Sequence, residues 1–486
     1  MKKLLSFVLV LAMLMSLSIA IPVSAEEAQT TQTTVSKWDG NLPETVAPFK
    51  TLDGTETNRG TESNPYIIGS AADLANFAKA LQSNMATYGS YFSLTCDIDM
   101  NGHKWVGLGN NSDVSNKRFE GTFLGNNHVI YNLQMESGAN CGFFNITQSA
   151  TIRDLGIASG NIDVTYSAGH FNVGGLVGIA TGGTVITNCF SNVNITVDNA
   201  GSGSIAKAGL LIGNINTNTS HASRDFRITD CWANGNIYVK STNKMVNVGG
   251  LIGTHGKNPL FVENCTVTGN IYSTNGRSDD KFGAFVSDNA VACTFTNCNA
   301  LINIKTGVAP DAIPGAIGKN WAGAITSNGC YRKISLDVNG TITENPTPTT
   351  ADNFTPTTED IKLVTSTGIS NNMAQNGVGS NVGNIRFISE LAFSVGAFSK
   401  TGYIVEFGGR SAEIGGKVVF TSLLVEGSDT PLTPTNGKYF IAYGISNVPA
   451  SVTGTITVTP YATLLDGTTI YGASANYSIS AGTLQK

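Results

Sequence analysis

Asp279 and Asp280, which follow Arg277 in the motif RSDDK, are the first candidates for chemistry in this chain. Cleavage of a glycosidic bond needs two carboxylates that face one bond at a set separation. The sequence has neither the G-H-G nor the R-I-K element of polygalacturonase-like enzymes. A calcium-dependent lyase would need several acidic ligands on neighbouring segments, and the repeated polar positions of this chain are mostly Asn. We therefore interpret the pair as a solvated turn.

A second candidate is the segment TNTSHASRDF (217–226), which contains Ser220, His221, Ser223 and Asp225. Ser/His/Asp catalysis requires side chains held rigidly within hydrogen-bond distance, and adjacent residues on one loop rarely meet that requirement. No G-x-S-x-G or H-E-x-x-H motif occurs in the chain. The sequence therefore predicts no catalytic residue.

These two charged segments are instead predicted to bind a partner, because insertions in repeat proteins collect at corners and often on the binding face. The alternative is two unrelated solvated loops, since loops are normally polar. The predicted binding residues are His221, Arg224, Asp225, Arg277, Asp279 and Asp280.

The chain has eight cysteines, and five of them recur at intervals of 42, 34, 33 and 32 residues: Cys189, Cys231, Cys265, Cys298 and Cys330. Equivalent positions of stacked repeats point in the same direction, which is poor geometry for a disulfide. We expect an inward column of free thiols; a disulfide framework is the alternative for an exported chain. Neither paired C-x-x-C motifs nor His residues at ligand spacing occur, so no metal and no cofactor are predicted.

A glycine-containing apolar motif organises the region that carries these residues. Its copies are CGFF (141–144), VGGLVG (173–178), AGLLIG (208–213), VGGLIG (248–253), FGAFVS (282–287) and PGAIG (314–318). Their first glycines are 32–40 residues apart. Self-similarity at such a period indicates stacked repeats.

Each motif is followed by a segment with alternating apolar residues, such as ITNCFSNVNI (186–195) and VENCTVTGNI (262–271). Period-two alternation predicts strands, and a repeat of short strands predicts one coil of a parallel β-solenoid. The first four of the five recurring cysteines are preceded by Asn188, Asp230, Asn264 and Asn297. We interpret this column as amides at a backbone bend rather than as a metal-binding carboxylate cluster.

The sequence also predicts what lies at the two ends of the repeat region. Ser70 is a predicted N-cap for an amphipathic helix over 71–82 that covers the first coil. Residues 1–25 read as a cleavable signal peptide and 26–37 as a polar spacer. The predicted domains that follow are a β-helix over 38–340, a Thr/Pro-rich linker over 341–360 and a small β-sandwich over 361–486.

Several motifs resemble the GLUG-repeat family of bacterial secreted and surface proteins: PYIIGSAADLANFA (65–78), YFSLTCDIDMNG (91–102), RFEGTFLGNNHVIYNL (118–133) and the VGGLVG copies. The resemblance covers about 60–335 and implies an all-β, right-handed parallel β-helix of the pectin-lyase type, without a transferable catalytic residue set. The AGLLIG and FGAFVS copies depart from the glycine pattern. The segment TPYATLLDGTTIYG (459–472) resembles a sandwich module of secreted clostridial proteins.

Composition limits the function classes. Charged residues make up 13% of the chain, about half the usual share, and the net charge is −5, so no nucleic-acid partner is predicted. No apolar segment of spanning length follows the leader. We predict a secreted bacterial, non-catalytic surface or matrix protein that functions in adhesion or binds glycans or host-surface molecules. The alternative is a polysaccharide-degrading lyase or glycosidase on the same scaffold.

Overall fold

The structure is a computed structural model, and it divides into two compact units, Val35–Ile361 and a unit that contains Lys362–Lys486. The residues that it describes are 35–55, 60–109, 117–136, 138–165, 171–199, 205–216, 224–242, 244–321, 323–357, 368–370, 382–391, 398–408, 410–417, 439–449, 451–464, 469–472 and 474–485. The predicted signal peptide and His221 lie outside the described residues.

The first unit is a parallel β-solenoid, which confirms the predicted fold class. Two of its sheets, with five and six strands, stack equivalent strands of successive coils and are joined by the glycine motif. Sheet I comprises Asn140–Cys141, Phe171–Gly174, Ala206–Gly209, Val246–Gly249 and Lys281–Gly283. Sheet II comprises Phe144–Gln148, Val177–Thr181, Ile212–Ile215, Ile252–His255, Val286–Asn289 and Ile317–Asn320.

Sheet III is longer and bends once in each coil. The strands that lie wholly before the bend are Tyr66–Ile68, Tyr91–Leu94, Val185–Thr187, Phe226–Thr229, Leu260–Glu263, Cys293–Thr296 and Ile325–Asn328. Thr122–Tyr131 and Thr151–Ile157 pass through it. The strands after it are Ser36–Lys37, Ile98–Asp99, Leu133–Glu136, Gly160–Thr165, Phe190–Asn192, Asn194–Asn199, Trp232–Thr242, Thr266–Ser273, Asn299–Thr306 and Tyr331–Val338.

Glycine in the repeated motif lets sheets I and II touch backbone to backbone. A Cβ on Gly174 would lie only 2.5 Å from the amide nitrogen of Gly213 in the next coil, and one on Gly142 would lie 2.5 Å from that of Gly178. Any side chain would force the strands apart. Each motif is therefore a tight arch in which the strand before it folds back on the strand after it.

The Asn and Cys columns form the bend of sheet III. Asn188, Asp230, Asn264 and Asn297 all have left-handed backbones, with φ between 50° and 54°, a conformation that Asn and Asp tolerate. Asn297 Nδ2 donates to Asn264 Oδ1 at 3.2 Å, and Asn264 Nδ2 donates to Asp230 Oδ1 at 3.0 Å. The predicted amide ladder is confirmed.

All eight cysteines are buried free thiols, as predicted for the five in the column. Each of the five recurring thiols donates to the backbone carbonyl oxygen of the residue two positions before it. Cys265 Sγ, for example, lies 3.2 Å from the Glu263 oxygen. Burial raises the pKa of Cys265 well above its usual range, which keeps this thiol protonated.

The ends of the solenoid are covered. The helix Ala71–Gln82 is capped by Ser70, whose hydroxyl oxygen accepts the Asp73 N–H at 3.1 Å, as the sequence predicts. Its Phe77 ring stacks on Phe92 of the first coils at 4.3 Å between centroids. Phe354 packs against Phe285 and Phe295 at the other end.

The structure differs from the predicted linker over 341–360. Thr341–Glu344 pairs antiparallel with Tyr331–Val338, and Thr355–Pro356 pairs with the start of the same strand. Asp352 is buried and accepts the Ala316 N–H. Thr and Pro content alone suggested an extended spacer; these residues instead pair with and cover the exposed edge of the last coil.

The second unit contains two antiparallel sheets. One comprises Gly368–Ser370, Val382–Leu391 and Tyr439–Pro449; the other comprises Phe398–Phe407, Arg410–Lys417, Gly454–Leu464, Thr469–Tyr471, Ala475–Ser480 and Thr483–Gln485. Phe387 and Tyr403 are buried with ring centroids 5.3 Å apart, which supports core packing over a sugar platform for these two aromatics. The β-sandwich resemblance of this unit stays a prediction.

Candidate functional site

The corner that contains Arg277, Asp279 and Asp280 precedes a strand of sheet I. Arg277 donates to both oxygens of Asp279 at 2.7 Å, a bidentate ion pair. Asp280 is buried and accepts the Val246 N–H at 3.0 Å and the Asn275 amide at 2.7 Å. Burial raises the pKa of Asp280 to about 6. Asp279 is thus engaged by Arg277, and Asp280 anchors the backbone of the preceding coil.

The other predicted corner leads from sheet II into sheet III. Arg224 and Asp225 line a shallow groove of about 380 Å³ together with Arg227. The Arg227 guanidinium lies 4.5 Å from the centre of the Phe261 ring and 3.5 Å from Asp225 Oδ2. The structure therefore places Arg224 and Asp225 beside an arginine that the sequence analysis did not select.

The two corners lie at different positions in the coil: one precedes a strand of sheet I, and the other connects sheet II to sheet III. Arg277 and Asp279 form one pair, and Arg224 and Asp225 form another group. His221, the remaining predicted binding residue, lies outside the described residues. Binding by both corners as one surface stays a hypothesis.

A more regular polar surface lies on the outer side of sheet III after the bend; we call it the ladder face. It is built on five strands, and in each of them one Asn points outward: Asn161, Asn194, Asn236, Asn270 and Asn303. From Asn194 onward, each amide nitrogen donates to the amide oxygen of the coil before it, at 3.4, 3.1, 2.7 and 2.9 Å along the row. The row is partly or fully exposed along its length.

Two tyrosines lie beside this row, two residues further along their strands. Tyr238 and Tyr272 are in register, and their rings stack with centroids 5.1 Å apart and planes 12° apart. Tyr238 is 39% exposed. The next position in the same column is Lys305, which pairs with Asp337 at 3.2 Å. The ladder face thus combines a row of amides, an aromatic pair and the exposed Lys305.

Sequence reasoning missed the ladder face although its signal was present. Five repeat segments end in Asn-Ile, at 161–162, 194–195, 236–237, 270–271 and 303–304. The isoleucines are buried, so period-two alternation places each preceding Asn outward. The Asn before each Cys drew attention instead, and that column serves the backbone.

Within the described residues no group of three or more His, Cys, Asp or Glu side chains is arranged to hold a metal ion. None of the described helices has the length and apolar character needed to cross a membrane.

Comparison with known proteins agrees with this architecture. The family model described as "The GLUG motif" matches residues 169–196, a segment that spans one arch and most of one coil. The resemblance to GLUG-repeat proteins is thus confirmed for that segment.

The chain is also 32% identical over 162 aligned residues to halomucin of Haloquadratum walsbyi (strain DSM 16790 / HBSQ001), a match that covers 29% of this chain. It covers only 2% of halomucin's length. No solved structure gives a significant match.

Proposed function

We propose that this protein is a secreted or cell-surface solenoid that binds glycans, without catalysing a reaction on them. The ladder face carries the proposal. Each amide between two others in the row uses one N–H and at least one oxygen lone pair for the neighbouring coils, which leaves the second N–H available to a ligand. Neighbouring coils repeat these groups at about 4.8 Å. An extended glycan presents hydroxyl groups that both donate and accept, so a regular row of amides is chemically matched to it.

The aromatic pair adds an apolar contact to this polar row. Tyr238 and Tyr272 stack on each other, so they form a rigid aromatic pair, and Tyr238 is 39% exposed. Sugar rings have apolar faces of C–H groups, and rigid aromatic side chains bind such faces with little loss of conformational freedom. Aromatic rings beside hydrogen-bonding groups are the usual composition of a ligand site.

The carboxylates of Asp279 and Asp280 do not favour an enzymatic role. Both oxygens of Asp279 are bound by Arg277, and Asp280 is buried under a backbone N–H and an amide. A retaining or inverting glycosidase needs both carboxylates directed at substrate. The groove at Arg224, Asp225 and Arg227 is proposed as a secondary contact for the same ligand class.

Export is proposed from the first 25 residues and is compatible with the thiols. Lys2, Lys3 and the following apolar run read as a signal peptide. Burial raises the pKa of Cys141 and Cys293 to about 12, and thiolate is the form that reacts with oxidants. Buried, protonated thiols would therefore persist outside the cytoplasm. The halomucin match is compatible with a surface or extracellular setting.

The test is a glycan array probed with the purified chain lacking residues 1–25, with a parallel polysaccharide-cleavage panel. We expect retention of a subset of extended glycans and no new reducing ends or unsaturated products. Cleavage of any polysaccharide would replace the proposal with the enzymatic alternative, and an array without a retained glycan would refute glycan binding.

A further inference from the structure

The arch of sheets I and II has an open edge where the strand of sheet I begins and that of sheet II ends. At this edge the column Asn172, Lys207, Asn247 and Lys281 of sheet I faces Asp288 of sheet II. Lys281 Nζ lies 2.9 Å from Asp288 Oδ2, and both side chains are less than one-fifth exposed. Asn247 Nδ2 donates to the same carboxylate oxygen at 3.4 Å. We call this edge the arch mouth.

Trp321 lies over the arch mouth. Its indole N–H donates to Asp288 Oδ1 at 2.6 Å, while 62% of the residue is exposed to solvent. Lys281 Nζ and Lys319 Nζ lie 4.9 and 5.3 Å from the centre of its ring. A large exposed aromatic side chain is thus fixed by a hydrogen bond and two cation–π contacts instead of being buried in a core.

The arch mouth carries more positive charge than its own carboxylate neutralises. Three lysines lie close to Asp288: Lys281 pairs with it, Lys319 is its register partner in the next coil, and Lys207 interacts with it electrostatically. The whole chain, by contrast, has a net charge of −5. Lys207 is largely buried, and this burial lowers its pKa while Asp288 opposes the shift. A low local dielectric strengthens the attraction of such a group for an anion.

The arch mouth also contains buried acceptors without donors. Asn247 is 3% exposed and Asn172 is 7% exposed, and the Oδ1 atom of each has no hydrogen-bond partner among the described residues. A buried amide oxygen without a partner costs about 1–3 kcal/mol. A ligand that donates hydroxyl groups would satisfy these oxygens, which a simple inorganic anion would not.

We propose that the arch mouth is a subsite for an anionic sugar unit, a uronate or a sulfated sugar. The acidic group pairs with Lys281 and Lys319, the apolar face of the sugar ring stacks on Trp321, and a sugar hydroxyl donates to Asn247 Oδ1. This site is separate from the ladder face and does not depend on glycan binding there. Because it rests on charge, its affinity falls as ionic strength rises.

The test is calorimetric titration of the full mature chain with three probes: an oligosaccharide of glucuronic acid, its methyl ester and a sulfated dextran oligosaccharide. The methyl ester keeps the ring and hydroxyl groups but removes the charge. We expect the ester to bind at least tenfold more weakly than the free acid. A stronger response to the sulfated probe would identify sulfate as the preferred group, and equal binding of acid and ester would overturn the proposal.

Two variants and a matched control locate the binding. Lys319→Gln and Trp321→Phe alter partly or mostly exposed residues, so the fold should survive, which circular dichroism checks. We expect Lys319→Gln to weaken binding of the acid about fivefold to tenfold and Lys50→Gln, at an exposed lysine outside both proposed binding surfaces, to leave it unchanged. A blue shift of tryptophan emission on binding should disappear in Trp321→Phe. Unchanged affinity and emission in both variants would refute the site, as would an absence of binding by the parent chain.

Discussion

The glycine arches offer the sharpest test of how the repeat folds. In Gly174→Ala the new Cβ would lie 2.5 Å from the Gly213 amide nitrogen, and the Val177 oxygen and Ile212 Cα are also within 3 Å. All three neighbours are backbone atoms. Ordinary carbon contacts lie at about 3.5–4.0 Å, so the two strands would have to separate by about 1 Å.

Overpacking costs about 1–3 kcal/mol where side chains adjust. Backbone atoms shared by two coils adjust less, so we expect Gly174→Ala to lower the free energy of unfolding by about 3 kcal/mol or more. The matched control is Gly307→Ala, because a Cβ there meets nothing within 4 Å and its backbone is not left-handed. We expect that control to stay within about 0.5 kcal/mol of the parent.

The assay is equilibrium unfolding in urea, followed by the far-ultraviolet circular dichroism of the strands. Because neighbouring coils stabilise one another, loss of one arch should also make the adjacent coils sensitive to protease in mild urea. If Gly174→Ala and Gly307→Ala unfold at the same urea concentration with the same slope, the backbone-contact account of the motif is refuted.

Three further outcomes follow from the columns and corners. Asn264→Val should destabilise the chain by about 2 kcal/mol more than Asn264→Gly in urea unfolding, because a β-branched residue is strained at φ 52°. An equal loss of stability in the two variants would contradict the left-handed backbone at this bend. Cys265→Asp should unfold adjacent coils whereas Cys265→Ala should not, and titration of the denatured, unreduced chain should detect all eight thiols; fewer than five would contradict the free-thiol column. Burial raises the pKa of Asp280 to about 6, so the folded chain retains this proton more strongly than the unfolded one. Stability relative to Asp280→Asn should therefore be highest below about pH 4 and fall by about 1–2 kcal/mol up to pH 7, after allowance for solvent screening; a flat or rising difference would contradict the assignment.

The sequence was informative where a local pattern repeats. Ser70 and Asp73 predicted the start of the helix because a capping box is a local feature. The recurring Asn-Cys pair predicted a stacked column because equivalent residues of successive coils must lie above one another. Each of these predictions needed only short-range spacing.

Contacts between coils were not predictable in this way. Asp288 meets Lys281 across an arch and Trp321 from 33 residues away, and no spacing rule joins these three types of residue. Phe226 is a second case, since the segment 217–226 looked like a polar corner but ends in a buried strand residue. Any replacement of that corner must therefore stop before Phe226.

The most direct test of the central claim is a binding titration of the best glycan from the array against Tyr238→Ala/Tyr272→Ala. Tyr88→Ala serves as the control, because Tyr88 is 61% exposed and lies away from the ladder face. Glycan binding on the ladder face predicts at least a tenfold loss of affinity in the double variant and none in the control. Equal affinity of the double variant and the parent, with both folded, would contradict the account.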